Sequence, residues 1–215
     1  MHSATVRRII HAYDDPLVRA YCWGRFGILR QRFLDEIGQY LPDEGVVLDI
    51  GCGFGLFSLY YAATGPRRIV RGLDLSGRRV DLARRAAARL GLGNVTYETG
   101  DARDFKGDAE VGAAYMLDIV HHVPPASVPP LFRALRRSLP PGGRLLVKDV
   151  DDHPAHKRWF TWVLDKAMAP TTPVHYWSSE ALARTLGEAG FDVHRHLMVD
   201  WLPYPHVLHV CQARS

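Results

Sequence analysis

The sequence lacks several features that would place it in whole classes of protein. No apolar run reaches the ~18 residues that a membrane-spanning helix needs, and no uninterrupted apolar stretch follows the N-terminus as in a secretory signal. Its three cysteines, Cys22, Cys52 and Cys211, are far apart, which excludes a disulfide framework and a zinc-binding spacing. Internal repeats and low-complexity tracts are missing as well. For a chain of 215 residues, these absences predict a cytoplasmic protein of one domain.

A strong charge of either sign is also missing. Lys and Arg number 27 and Asp and Glu number 23, which leaves a net charge of +4. The densest basic cluster lies on one predicted helix, and its members are Arg78, Arg79, Arg84, Arg85 and Arg89. Such a cluster is usually a solvated helix face, and the interleaved aromatic residues that stack on bases are absent from it. We therefore favour a solvated face over a nucleic-acid-binding patch.

Strands that alternate with helices are the main pattern in the chain. Apolar runs predict strands at 46–50, 68–73, 94–98, 111–117, 144–150, 191–199 and 207–211. Helices are predicted at 16–41, 54–63, after the N-cap Ser76, along the stripe of Leu131, Leu135 and Leu139, and at 156–168 and 179–189. This alternation predicts a mostly parallel sheet covered by helices on both faces, and the last two strands predict an antiparallel hairpin at one edge.

A glycine-rich turn joins the first predicted strand to the helix that follows. Gly51, Gly53 and Gly55 would let the backbone turn sharply and let a ligand approach without a Cβ in the way. A dinucleotide-binding loop needs the spacing G-x-G-x-x-G, which this turn does not have. Asp49, directly before the glycines, would repel a pyrophosphate and suits a ligand that carries positive charge or amine donors. The alternative is that the glycines only make a tight turn.

Acidic residues at three consecutive strand ends favour the ligand-binding interpretation. Asp49 ends the first strand, Asp74 ends the second, and Asp101 follows the third. A carboxylate at the position of Asp74 accepts both hydroxyls of a ribose. Asp101 can accept a hydrogen bond from an adenine amine, while Ala102 supplies a backbone amide. One such Asp is usually a turn or cap residue, but three in register with a glycine turn predict a nucleoside site.

These segments together resemble the class I S-adenosylmethionine-dependent methyltransferases over roughly residues 40 to 213. The segments that carry the resemblance are 46–55, 72–76, 100–102, 116–123 and 139–147. The resemblance implies a single-domain α/β, Rossmann-like three-layer sandwich with helices on both faces. Its seven-stranded, mostly parallel sheet would have the order 3-2-1-4-5-7-6, with the last strand antiparallel.

The resemblance also implies a cofactor and its site. The cofactor would be S-adenosyl-L-methionine, with Asp74 at the ribose, Asp101 at the adenine, the glycine turn under the methionine moiety and Asp49 near the amino group. The full set of implied cofactor-binding residues is Asp49, Gly51, Cys52, Gly53, Gly55, Asp74, Leu75, Asp101, Ala102, Met116 and Asp118.

Three residues are predicted to act at the methyl-transfer step. His121 lies on the loop after the fourth strand, which lines the transfer site in the resembling family, and a histidine has a pKa suited to taking a proton. Packing over the cofactor is the alternative role for His121. Asp149 and His153 follow the fifth strand and are predicted to contact the acceptor. Their neighbours Asp151 and Asp152 could complete a magnesium site, but we expect a helix-capping loop and no metal there.

The predicted reaction transfers a methyl group to an O, N or C nucleophile of a small, apolar or aromatic molecule. Aromatic residues in an N-terminal helical lid (1–42) and a helical insert (151–178) favour such an acceptor, although each could simply pack against the core. The predicted partners are a small-molecule acceptor, no membrane and no nucleic acid, and a homodimer stays open. The alternatives are RNA or protein methylation, a dinucleotide-dependent oxidoreductase, and a non-catalytic nucleotide-binding or scaffold protein with the same fold.

Overall fold

The computed structural model describes residues 3–29, 31–107, 110–150, 174–197 and 206–215. The strands of this part of the chain are β1 (Gly45–Ile50), β2 (Arg68–Asp74), β3 (Val95–Thr99), β4 (Val111–Leu117), β5 (Arg144–Val150), β6 (Phe191–Leu197) and β7 (His206–Ala213). Its α-helices are α1 (Ala4–Ala12), α2 (Pro16–Ile28), α3 (Gln31–Gly38), α4 (Leu56–Thr64), α5 (Gly77–Leu90), α6 (Val128–Ser138) and α7 (Ser179–Glu188).

The seven strands form one sheet in the order β3-β2-β1-β4-β5-β7-β6. β1 pairs parallel with β2, and β2 pairs parallel with β3. β7 runs antiparallel to both β5 and β6. The predicted Rossmann-like α/β fold, its strand order and its antiparallel last strand are therefore confirmed.

Capping residues decide where several helices begin and end. Ser76 accepts a hydrogen bond from the Arg79 backbone N–H and begins α5, and Gly91 ends it with a left-handed φ of 67°. Asp15 caps α2, whose first residue is Pro16. α1, which begins after the cap Ser3, lies in the predicted helical segment 1–42 but before the predicted helix 16–41, and that helix is divided into α2 and α3.

The chain divides into two compact units. The N-terminal unit comprises residues 1–102 and 110–114, and the C-terminal unit comprises 103–109 and 115–215. In the N-terminal unit α4 and α5 pack against β2 and β3, while α1 packs against α4 and α5. In the C-terminal unit α7 packs against the β6–β7 hairpin. None of the helices described is long and apolar enough to cross a membrane.

Candidate active site

The glycine turn between β1 and α4 is built from left-handed backbone. Gly51, Gly53 and Gly55 have φ angles of 77°, 56° and 78°, values that side chains disfavour. The backbone N–H groups of Gly51 and Cys52 both donate to the carbonyl of Leu73, at 2.7 and 3.1 Å. These bonds fix the turn against the end of β2.

Two glycines of this turn are needed for different reasons. A Cβ on Gly55 would lie 2.5 Å from the Tyr97 hydroxyl oxygen and 2.9 Å from the Ala83 Cβ, so Gly55 is needed for close packing. A Cβ on Gly53 would meet no atom within 4 Å. Gly53 therefore presents bare backbone to open space, which is the surface that a closely approaching ligand needs.

Asp74 connects the glycine turn to the end of β2. Its carboxylate is buried and accepts two backbone hydrogen bonds, from Gly53 N–H at 2.8 Å and from Ser76 N–H at 2.9 Å. Each oxygen thus receives one bond and keeps a further lone pair, because a carboxylate offers about four acceptor sites. The arrangement fixes the carboxylate and leaves it able to accept ribose hydroxyls.

The other two predicted carboxylates lie at the same edge of the N-terminal unit. β1, β2 and β3 are parallel, with Ile50 beside Leu73 and Asp74 beside Thr99, so Asp49, Asp74 and Asp101 all stand at carboxyl ends. Asp49 is buried and accepts a hydrogen bond from the Ser58 hydroxyl at 2.5 Å. Asp101 is half-buried and directly precedes a short 3₁₀ helix, Ala102–Asp104.

The side chains beside Asp74 and in the turn suit an uncharged, partly apolar ligand surface. Leu75 is 70% exposed beside the buried carboxylate of Asp74, and its side chain can cover the face of a purine ring. Burial and the charges of Asp49 and Asp74 raise the pKa of the Cys52 thiol, so Cys52 packs as a neutral group. Bare backbone, a fixed carboxylate and this leucine together fit an adenosyl cofactor.

The N-terminal helices contact the glycine turn through aromatic side chains. The buried Tyr13 hydroxyl donates to the carbonyl of Phe54 at 2.7 Å, and burial raises the Tyr13 pKa so that its proton is retained. The rings of Tyr21 and Phe54 lie 5.4 Å apart, and the Arg79 guanidinium lies 5.7 Å from the Phe54 ring centroid. Phe54 is therefore held by the segment 1–42, for which the sequence predicted a lid.

The arginine cluster of α5 is largely paired with acidic residues. Asp14 accepts hydrogen bonds from Arg85 and Arg89, both at 3.0 Å, and Asp15 accepts one from Arg78 at 3.1 Å. Arg84 donates to the carbonyl of Tyr97. These bonds favour the predicted solvated face, because paired guanidinium groups are less available to phosphates.

In the C-terminal unit, two of the residues predicted to act in catalysis form a buried pair. The Nδ1 atom of His121 lies 2.5 Å from Asp149 Oδ1, and the His121 backbone N–H donates to Asp149 Oδ2 at 2.9 Å. The two side chains are 2% and 4% exposed. Because an ionised carboxylate only accepts, Nδ1 carries the proton and Nε2 is left as the basic nitrogen of the neutral ring.

A second buried pair lies directly beside the first, and the sequence did not predict it. Lys148 is fully buried, and its ammonium group is ion-paired with Asp118. Asp118 has a φ of 58° and donates its backbone N–H to the carbonyl of Lys148 at 2.9 Å. The signal available in the sequence was one lysine within the otherwise apolar run 145–148.

The structure says less about the roles of the other predicted site residues. Met116 is completely buried inside β4. His153 and most of the predicted insert 151–178 lie outside the described residues, as do Asp151 and Asp152. Within the described ranges, three or more His, Cys, Asp or Glu side chains nowhere gather as a metal site would require.

The segment that leads into α7 lies against the His121 loop. The His175 backbone N–H donates to the carbonyl of His121 at 2.7 Å. The ring of Tyr176 stacks on that of His121, with centroids 6.1 Å apart and planes inclined by 21°. The ring of Tyr176 therefore borders His121, and a covering role for the insert stays a prediction.

Comparison with known proteins gives a family match over most of the chain. A family model described as "Methyltransferase domain" matches residues 24–196. Among solved structures, an O-methyltransferase family protein from Burkholderia thailandensis superposes with a TM-score of 0.72 at 20% identity, covering 97% of this chain and 62% of that one. At this identity the likeness supports the fold.

Three curated relatives match shorter stretches. A 2-heptyl-1-hydroxyquinolin-4(1H)-one methyltransferase from Mycobacteroides abscessus is 33% identical, covering 52% of this chain and 53% of its own. A ubiquinone biosynthesis O-methyltransferase from Xylella fastidiosa is 33% identical, covering 55% and 47%. Ribosomal RNA small subunit methyltransferase G from Deinococcus radiodurans is 34% identical, covering 41% and 36%. The chain thus spans between about a third and a half of these relatives.

Proposed function

Because the chain belongs to the methyltransferase-domain family, we propose that it transfers a methyl group from S-adenosylmethionine to a hydroxyl oxygen of a small, apolar or aromatic molecule. The family match confirms the predicted methyltransferase family, and S-adenosylmethionine is the methyl donor in this proposal. The observation that carries the choice of a hydroxyl is the buried His121–Asp149 pair. A proton acceptor is needed when the nucleophile still holds its proton, as an alcohol or phenol does.

The N-terminal unit supplies the cofactor site in this proposal. Asp74 holds the ribose hydroxyls, Asp101 and the Ala102 amide hold the adenine edge, and Leu75 covers the adenine face. The backbone of the glycine turn lies against the methionine moiety, with Asp49 near its amino group. When bound, the cofactor supplies a methyl group activated by a positive sulfonium. The protein is then left to bind, align and exclude water.

The C-terminal unit supplies the base. Asp149 holds the proton of His121 on Nδ1, and Nε2 takes the hydroxyl proton of the acceptor. Asp149 also stabilises the imidazolium that forms, because its carboxylate is already in contact with the ring. Asp118 and Met116, predicted at the cofactor, and His153, predicted at the acceptor, stay predictions, as do a cytoplasmic location and a homodimer.

The class of acceptor is supported by two observations. The aromatic ring of Tyr176 stacks on His121, which favours a flat or apolar molecule beside the base. Two relatives are named as a 2-heptyl-1-hydroxyquinolin-4(1H)-one methyltransferase and a ubiquinone biosynthesis O-methyltransferase, and these names favour a hydroxylated organic acceptor over a macromolecule.

RNA is the second candidate acceptor, because one relative is named as a ribosomal RNA methyltransferase. The pairing of Arg78, Arg85 and Arg89 with Asp14 and Asp15 favours the small-molecule acceptor. Retention of RNA that falls steeply with salt concentration would revive this alternative.

The proposal is tested with hydroxylated aromatic acceptors of matched shape and different acidity. Methyl transfer from labelled S-adenosylmethionine is measured for nitro-substituted acceptors, which are ionised at the assay pH, and for alkyl-substituted ones, which are not. His121→Ala should lower kcat by roughly 10²–10⁴-fold for the protonated acceptors and far less for the ionised ones. The exposed His194, changed to Ala, is the matched control. Equal losses on both acceptor types would remove the base role.

A further inference from the structure

The neighbouring residues Lys148 and Asp149 of β5 hold the loop that follows β4 at two points. Lys148 binds Asp118 at the start of this loop, and Asp149 binds His121 three residues later. At each point the contact is double, with one bond to a side chain and one to the backbone N–H of the loop residue. The loop is therefore fixed in position and in direction.

The first of these contacts holds a backbone conformation that the sequence does not favour. Asp118 has a φ of 58°, in the left-handed region that non-glycine residues seldom occupy. Asn and Asp tolerate this region better than most residues, but an outside constraint is still needed to hold it in one state. Lys148 supplies that constraint twice. Its carbonyl accepts from the Asp118 backbone N–H, and its ammonium group is paired with the Asp118 carboxylate.

Because the Lys148–Asp118 pair is buried, its main effect is on the geometry of the loop and not on the stability of the fold. Lys148 is 0% exposed and Asp118 15% exposed, so both charges have given up much of their hydration. Such buried pairs are often no more stabilising than apolar residues of the same size. A role in fixing the loop explains a lysine in this strand better than a gain in folding free energy does.

We propose that Lys148 is a positioning residue: by fixing Asp118 in its left-handed conformation, it brings His121 onto Asp149 in the tautomer with its proton on Nδ1. The inference rests on the proposed function only for its effect on turnover. The geometry itself, with the tautomer of His121 as its consequence, can be measured without any acceptor or cofactor.

The test uses Lys148→Met and the double variant Lys148→Met/Asp118→Asn, because the single change leaves a buried carboxylate that can prevent folding. Removing both charges avoids that problem. The control is Arg195→Met, which breaks an exposed ion pair to Glu180 (3.0 Å) in the same unit. The ¹⁵N spectrum of the histidine rings reports the tautomer, and the His121 signals are identified by their loss in His121→Ala.

In the native chain and in Arg195→Met, we expect His121 to carry its proton on Nδ1. In the Lys148 variants we expect a mixture of tautomers and a loss in kcat of about 10²-fold for protonated acceptors. Adding His121→Ala should bring the loss in kcat to that of His121→Ala alone and no further. An unchanged tautomer in the folded double variant would overturn the proposal. If instead His121→Ala is fully active, the proposed base role fails, while the tautomer result still decides the role of Lys148.

Discussion

The two units use their buried carboxylates in different ways. In the N-terminal unit, Asp74 accepts from two backbone N–H groups and Asp49 accepts from a hydroxyl. In the C-terminal unit, Asp118 and Asp149 are each paired with a basic side chain. A carboxylate held by neutral donors keeps its charge and its spare lone pairs for a ligand. A carboxylate paired with a histidine controls where a proton resides. In our proposal, this difference separates cofactor binding by Asp74 from proton transfer by the His121–Asp149 pair.

The largest effect should come from breaking the pair in the C-terminal unit. Asp149→Asn preserves size but replaces an oxygen acceptor with an amide, which can turn its N–H₂ towards Nδ1 and favour the wrong tautomer of His121. We expect kcat to fall by roughly 10²–10⁴-fold for protonated acceptors, close to the loss in His121→Ala. The double variant should be no worse than either single one. Losses that multiply would show that the two residues act separately.

In the N-terminal unit, we expect a substitution to change the affinity for the cofactor product. Asp74→Ala removes the acceptor of two backbone bonds and, in our proposal, of the ribose bonds. Hydrogen bonds to charged groups contribute about 1.5–3 kcal/mol, so the Kd for S-adenosylhomocysteine should rise about 10- to 150-fold. Asp81→Ala is the matched control, since Asp81 is an exposed α5 residue paired with Arg84. Calorimetry gives both values, and a Kd equal to the native one would remove Asp74 from the site.

A smaller effect is expected where the N-terminal helices hold the glycine turn. Tyr13→Phe removes one buried hydrogen bond to the Phe54 carbonyl, which should lower the free energy of unfolding by about 0.5–1.5 kcal/mol and weaken cofactor binding slightly. Tyr21→Phe keeps the ring contact with Phe54 and should change neither quantity as much. Chemical denaturation with and without S-adenosylhomocysteine separates the two effects. A larger change in Tyr21→Phe would contradict this assignment.

The smallest effect concerns pH and a buried histidine that is not one of the predicted site residues. Burial lowers the pKa of His209, whose ring lies against the carbonyls of Val147 and Ser179. The unfolded chain then binds the proton more readily, so stability contributed by the neutral ring should be lost as pH falls below about 6.5. The melting temperature of His209→Gln should fall less between pH 7.5 and 5.5 than that of the native chain. An identical decline would assign the pH dependence to other groups.

The sequence signal is clearer for the predicted site residues of the N-terminal unit than for those of the C-terminal unit, because the latter depend on contacts between distant parts of the chain. Gly51, Gly53 and Asp74 are recognisable because strand ends in a parallel sheet recur at regular spacings. β4 and β5 were predicted at their observed bounds, 111–117 and 144–150. His121 and Asp149 were each predicted, but their contact joins residues 28 apart and depends on how the loop meets β5. Lys148 was missed because the sequence of an apolar strand does not indicate which distant side chain, here Asp118, pairs with a buried lysine.

The most direct test of the division between the units is a titration of S-adenosylhomocysteine into the native chain, Asp74→Ala and His121→Ala. We predict binding to the native chain, a Kd raised at least about tenfold in Asp74→Ala, and a native Kd in His121→Ala. No binding to the folded native chain at millimolar ligand, or equal weakening in the two variants, would contradict the account.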